Sequence, residues 1–166
     1  MTEHFTRDRI VTGSLCYVLR GEGENREVLL LKRSRLPQQG MWSAPGGKME
    51  LGESPDECVI REIHEETGLT IRTPTLRAIV TVVDQDYPMH WLLFVYRVEI
   101  FEGEVKLLDT EEGELCWIRL SAIADYPRPH SDQQHWEHVM GDSSDVWRGK
   151  FVYDTPVNLL EEIRYP

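Results

Sequence analysis

Positive charge is what this chain is short of. Eighteen Lys and Arg face 29 Asp and Glu, leaving a net charge of −11. A polymeric nucleic acid needs a basic face, so that balance argues against one as partner. It does not exclude a single nucleotide, because a metal ion can carry the charge of a few phosphates. Long apolar runs are also missing. None approaches the ~20 residues of a membrane-spanning helix, and residues 1–9 contain no signal-peptide core, so no membrane partner and a cytoplasmic location are expected. Cysteine is scarce. Cys16, Cys58 and Cys116 are odd in number, far apart and each in an apolar stretch, which predicts buried free thiols rather than disulfides or a zinc site. Internal repeats, low-complexity tracts and linkers are absent.

What is present is a chain of 166 residues, 40% hydrophobic and 28% charged, which suits one globular domain over 1–166 with a proper core. Residues 11–20 and 27–32 read as two strands joined by a turn at 21–25. The unbroken Val28-Leu29-Leu30-Leu31 suits a strand buried on both faces. Lys32 and Arg33 follow it, either as surface charge or as a phosphate contact. Residues 36–40 form a loop, and Trp42 is expected to pack it. Further strands are expected over 75–84, 90–101, 115–118 and 150–153. Turns fall at 86–88 and 102–103, and 109–114 is an acidic loop. A helical turn over 120–125 precedes a helix over 131–140 capped by Ser131 or Asp132. A short terminal helix is expected over 156–163. Strand pairs, a central helix, more strands and a second helix predict an α/β fold, a mixed sheet with helices on both faces. His130, His135 and His138 match no zinc-ligand spacing and have no cysteine nearby.

Residues 47–69 organise the rest. Ser54, Pro55, Asp56 and Glu57 are a helix start, with Ser54 as N-cap, Pro55 in the first turn and Glu57 at capping-box spacing. Gly68 supplies the stop, so the helix spans 55–67. On it Glu62, Glu65 and Glu66 stand at i, i+3 and i+4, three carboxylates on one face. Such a face is either a solvated acidic surface or a site whose mutual repulsion a cation relieves. Mg²⁺, a hard ion that takes oxygen ligands, is the natural candidate. The Gly46-Gly47 pair lets backbone approach the same place closely.

Gly47, Glu53 and the run Arg61-Glu62-Ile63-His64-Glu65-Glu66-Thr67-Gly68-Leu69 reproduce every fixed position of the Nudix box. A chance match is on the order of one in 10⁹ at average amino-acid usage. The chain therefore resembles a Nudix hydrolase, and the likeness covers about residues 11–155, much more weakly outside the box. The resemblance implies a Nudix-type α/β/α sandwich. It also implies water attack on a phosphorus of a nucleoside diphosphate linked to another group, with Mg²⁺ or Mn²⁺ as cofactor. It places metal ligands at Glu62, Glu65 and Glu66, with the Gly46 carbonyl as a further ligand. It puts Glu53 and Arg61 at paired structural positions. An additional functional glutamate five residues before a late tryptophan falls on Glu112, ahead of Trp117; Glu111 and Glu114 are neighbours that could serve instead. Glu65, Glu66 and Glu112 are the candidate catalytic residues.

The sequence around the box is similar to the branch that hydrolyses oxidised purine nucleoside triphosphates, the MutT-type 8-oxo-dGTP diphosphatases. That likeness puts Asp132 at the base edge; Arg33, Ser43, Gly47 and Lys48 are the further candidate substrate-binding residues. Two departures stand out: Ser43 occupies the place of an asparagine, and Gln133 that of a second aspartate. Tyr87, His90 and Trp91 are further aromatics that could stack on a base. The expected reaction is conversion of such a triphosphate to monophosphate and pyrophosphate, by a monomer or homodimer. The alternatives keep the site but change the substrate to ADP-ribose, a nucleotide sugar or a dinucleoside polyphosphate, or keep the fold without catalysis. Capped or triphosphorylated RNA ends are disfavoured by the acidic balance.

Overall fold

Period-two patterning in the first strand decides how the whole sheet faces. The computed structural model describes residues 10–36, 38–85, 89–105, 113–155 and 158–166. In it β1 (Ile10–Arg20) sends Leu15, Tyr17 and Leu19 into one apolar cluster and Cys16 and Val18 into another on the opposite face. β2 (Glu27–Arg33) returns antiparallel and splits the same way, Val28 and Leu30 against Leu29 and Leu31. A strand covered on both faces needs no polar alternation, which explains its unbroken apolar run.

The chain continues through β3 (Trp42–Ser43), β4 (Gly46–Lys48), α1 (Pro55–Thr67), β5 (Thr70–Ile71), β6 (Thr75–Asp84) and β7 (Met89–Val98). After these come β8 (Phe101–Glu102), β9 (Gly113–Arg119), α2 (His130–Met140), β10 (Trp147–Thr155) and β11 (Asn158–Tyr165). Among the described residues nine strands form one mixed sheet in the order β11-β10-β6-β7-β1-β2-β3. β4 also pairs with β1, and β9 with β2; β5 and β8 make a separate two-stranded ribbon. The β1–β7 and β6–β10 pairs are parallel, the rest antiparallel.

Each helix covers one face. Val59 and Ile63 of α1 pack on Cys16, Val18 and Leu29, and Trp136 and Val139 of α2 belong to the cluster of Tyr17, Leu30 and Val80. The result is an α/β/α sandwich. Full burial of a side chain such as Ile63 contributes about 1.5–3 kcal/mol, and the cavity left by Ile63→Ala would cost about 2–5 kcal/mol. Two arginines fix the far end of α2. Arg77 donates to the His138, Gly141 and Ser143 carbonyls, and Arg97 to those of Val139 and Gly141. Those carbonyls have no partner inside the helix, so the arginines both satisfy them and tie α2 to β6 and β7.

Three local expectations need correction. The predicted terminal helix over 156–163 is instead β11, an edge strand pairing Lys150 with Ile163 and Tyr153 with Leu159. Leu159 and Ile163 are four apart, a spacing that serves one face of a helix or of a strand equally, and pairing with β10 decides it. Helix α2 begins at His130 after Pro129, so neither Ser131 nor Asp132 is its N-cap. Cys116 is only half-buried, whereas Cys16 and Cys58 are buried; all three are free thiols. The expected turn at 86–88 lies outside the described residues. Among the described residues no helix is long and apolar enough to cross a membrane.

Candidate active site

The box helix starts where its sequence says it should. Ser54 Oγ accepts from Glu57 N at 3.2 Å and Glu57 Oε2 accepts from Ser54 N at 2.8 Å, a reciprocal cap. Gly68, at φ 78°, ends the helix with its N–H on the His64 carbonyl at 3.0 Å. Between these stops Glu62, Glu65 and Glu66 are carried past β4. The approach is close enough to demand glycine: a Cβ on Gly47 would lie 2.5 Å from the Glu62 carboxylate. Gly46, at φ 145°, donates its N–H to Glu66 Oε2 at 2.8 Å.

Arg61 is the hub of this region. Its Nε meets Glu53 Oε1 at 2.6 Å and its Nη2 meets Glu53 Oε2 at 2.9 Å, a two-pronged pair. Nη2 also donates to the Lys48 carbonyl at 3.1 Å, so one side chain joins the helix to the loop entering it. Nη1 reaches Glu62 Oε1 at 2.8 Å and Glu65 Oε2 at 3.1 Å. The Arg61 hydrogen bonds pull the Glu53 carboxyl down to about 2, and the same contacts push the Arg61 guanidinium up. The sequence left the cation between the carboxylates to a divalent ion. In the structure a guanidinium already does part of that work for Glu62 and Glu65, while Glu66 turns to the glycine strand.

The donor set fits a hard cation. It consists of carboxylate oxygens beside a glycine backbone, with no sulfur or imidazole among the candidate ligands. Among the described residues no three His, Cys, Asp or Glu are grouped to hold a metal. Glu111 and Glu112 lie outside the described residues. Glu114 is exposed in β9 opposite Lys32 of β2.

Asp132 lies in a different setting, buried at 6% exposure beneath the first turn of α2. Its Oδ2 faces the Tyr17 hydroxyl at 3.4 Å and its Oδ1 accepts from Ser131 Oγ at 3.2 Å. The same Tyr17 hydroxyl is 3.4 Å from His135 Nε2, so strand β1 and two turns of α2 meet at one polar point. Burial pushes the Asp132 carboxyl up to about 6, against the opposing pull of Ser131, Arg128, Tyr17 and Arg33. Burial likewise drives His135 down to about 3, a neutral imidazole.

The other expected substrate contacts distribute around these two regions. Ser43 is buried in β3 opposite Leu31, and the Trp42 N–H next to it bonds the Pro127 carbonyl at 2.8 Å. Trp42 is buried edge-on to Tyr126, a packing role. Arg33 closes β2 and is near enough for its charge to act on Asp132. Gly47 and Lys48 lie in β4, with Lys48 Nζ 5.8 Å from the Trp91 ring centroid. Ser43, opposite Leu31, lies on the α1 face of the sheet, whereas Asp132 meets Tyr17 on the α2 face, and Gly46, Gly47, Glu62 and Glu66 gather beside β4. Tyr87 lies outside the described residues. Sequence reading missed Tyr17, His135 and Arg128 as neighbours of Asp132. Signals existed for two of them: Tyr17 is on the same β1 face as Leu15 by period two, and His135 is one turn along from Asp132.

Residues 10–139 match the NUDIX domain family. An uncharacterised Nudix hydrolase of Bacillus subtilis, YvcI, is 34% identical over 81% of this chain and 84% of its own length. An ADP-ribose pyrophosphatase of Methanocaldococcus jannaschii is 36% identical over 69% of this chain and 70% of its own. The crystal structure of a MutT protein from Bacillus halodurans superposes with a TM-score of 0.81 at 34% identity, covering 95% of this chain and 99% of that one. The chain belongs to the Nudix hydrolase family, enzymes that cleave pyrophosphate bonds in nucleotide-type substrates and generally use a divalent metal, typically Mg²⁺.

Proposed function

We propose that the chain is a single-domain, Mg²⁺-dependent pyrophosphohydrolase of a nucleoside triphosphate with an oxidised purine base, such as 8-oxo-dGTP, releasing monophosphate and pyrophosphate. The observation that carries the substrate choice is Asp132. It is a buried carboxyl with no capping duty, its acidity moved by desolvation, and two guanidinium groups are near it. A desolvated carboxyl of that kind suits reading the edge of a base.

In this reading Glu62, Glu65, Glu66 and the Gly46 carbonyl hold the ion. Bound there, it would neutralise phosphate oxygens and ease departure of the leaving phosphate. Arg33, Lys48 and the Gly47 backbone face the phosphates. A carboxylate not committed to the ion, Glu112 for preference, takes the proton of the attacking water as the new P–O bond forms and the bridging P–O bond breaks. Ser43 and Asp132 meet the base. Ser43 offers one hydroxyl where an asparagine would offer an amide, so it cannot make the two-pronged contact to a purine edge that an amide makes.

Similarity to the ADP-ribose pyrophosphatase favours a second reading, with the same glutamates acting on ADP-ribose. One panel separates the two. Pyrophosphate and orthophosphate release would be followed with Mg²⁺ on 8-oxo-dGTP, 2-oxo-dATP, the unmodified dNTPs, ADP-ribose, UDP-glucose and a dinucleoside polyphosphate. Pyrophosphate released from an oxidised purine triphosphate well ahead of the others supports the first reading. Turnover confined to diphosphate-linked compounds replaces it with the second.

A further inference from the structure

β11 leaves a long edge of the sheet open. Among the described residues it pairs with β10 alone, and no strand lies beyond it. All of its residues are exposed except Leu159 and Ile163, which are half-buried, and Leu160 and Tyr165 are large apolar side chains facing water. An edge of this length directs a row of backbone N–H and C=O groups outward, which another strand can satisfy. Proline is absent from Asn158–Tyr165, and its charges are of both signs, Glu161 and Glu162 against Arg164. The bulge in its pairing with β10 falls at Leu160, so Glu161 to Tyr165 run in regular register.

Symmetry limits what that edge can pair with. Two copies related by a two-fold axis perpendicular to the sheet pair antiparallel, and residues directly opposite share a face. Such a pairing is centred on a residue that meets its own copy. Centring on Leu160 falls on the bulge. Centring on Glu161, Glu162 or Arg164 sets a charge against itself, which is unfavourable. Centring on Ile163 sets Ile163 against Ile163, and twice sets Glu162 of one copy against Arg164 of the other. Tyr165 then faces Glu161, so its ring is covered by the second chain.

Contacts within the chain already hold those charges in place. Glu162 Oε2 is 3.0 Å from His130 Nε2, and its Oε1 accepts from Arg164 Nε at 3.0 Å. Arg164 also donates to Gln134 of α2. Both side chains therefore lie on the α2 face, opposite Phe151 and Gly149 of β10. Across a two-fold axis the two intrachain pairs would join as a ring of four alternating charges. On the other face Glu161 lies beside Lys150, whose Nζ is 3.5 Å from Glu161 Oε2.

We infer that β11 is the interface of a homodimer, pairing antiparallel with β11 of a second copy about Ile163 and continuing the sheet through both subunits. A single strand edge is at the small end of specific interfaces, so the dimer is reversible rather than obligate. The inference is independent of the substrate.

Sedimentation velocity on the full chain tests it. Wild type should pass from monomer to dimer as concentration rises. Glu162→Arg and Arg164→Glu each set like charges opposite one another, and each should raise the dissociation constant roughly 10-fold or more. An equimolar mixture of the two variants should recover the dimer, because each supplies the charge that the other lacks a partner for. The double variant Glu162→Arg/Arg164→Glu should recover it alone. Circular dichroism of each variant checks that the fold is intact. A wild type that stays monomeric up to near-millimolar concentration overturns the inference. So does a dimer whose dissociation constant stays within about 2-fold in both single variants, which would place the interface elsewhere. A mixture no more dimeric than its two components also overturns it, because the pairing of Glu162 with Arg164 is then wrong.

Discussion

Glu53 and Asp132 are both carboxyls with guanidinium groups in reach, yet their acidities move in opposite directions, to about 2 and about 6. Glu53 receives both prongs of Arg61 and remains in contact with water; Asp132 is sealed under α2 with only a hydroxyl on each oxygen. Direct charged hydrogen bonds favour the ionised form, whereas desolvation without such bonds favours the neutral one. The box end of the site is thus organised by local charge pairing within 20 residues of chain. The α2 end is organised by burial among elements more than 100 residues apart, as the Tyr17–Asp132 contact shows. In the proposed function the first end holds the cation and phosphates and the second meets the uncharged ring.

Glu66→Gln breaks the box end most severely. The amide can still accept from the Gly46 N–H, so the fold and melting temperature should survive. Loss of a ligand charge should lower kcat by about 10²-fold or more, read as pyrophosphate release. Near wild-type turnover would remove Glu66 from the metal site.

Asp132→Asn sharpens the contrast through pH. In the folded protein Asp132 keeps its proton up to about pH 6, against an ordinary value of 3.8 for the free carboxyl. Its contribution to stability is therefore full below about pH 4 and lost as pH rises through 6, a span worth up to about 3 kcal/mol. His135 works the other way, its contribution present above 6.5 and lost as pH falls towards 3, so the test is the difference between variant and wild type. Chemical unfolding should show Asp132→Asn gaining on wild type between pH 4 and pH 6.5. A constant difference would mean that Asp132 titrates normally. On the activity panel the same variant should reorder the bases rather than slow every triphosphate equally.

Arg61→Met should lower stability by about 2 kcal/mol, because Glu53, Glu62 and Glu65 all lose their cation. Thermal melts should show that Mg²⁺ raises the melting temperature of wild type and recovers part of the variant's deficit, since ligand binding to the folded state alone stabilises it. No Mg²⁺ effect on either protein would count against the ion site. Glu53 itself should support the fold above about pH 4.5 and lose that effect as pH falls towards 2. The smallest change expected is Ser54→Ala, about 1 kcal/mol in chemical unfolding, from loss of one half of the reciprocal cap.

The difference in construction also explains what was legible in advance. Helix α1, its cap, its glycine stop and its carboxylate face follow from residues three or four apart, and β1 and β2 follow from period two. Those are local rules, so the amino-acid order determined the box and the sandwich around it. Arg61 as the cation among the glutamates was harder to see, because a guanidinium at i, i+1 and i+4 competes with a divalent ion for the same charges. Only the tertiary structure decided that Asp132 is buried rather than capping a helix, that Tyr17, His135 and Arg128 surround it, and that residues 158–165 pair as a strand. Burial and strand pairing depend on partners distant in the chain, and a spacing of four residues suits helix and strand alike until a neighbouring strand supplies the hydrogen bonds.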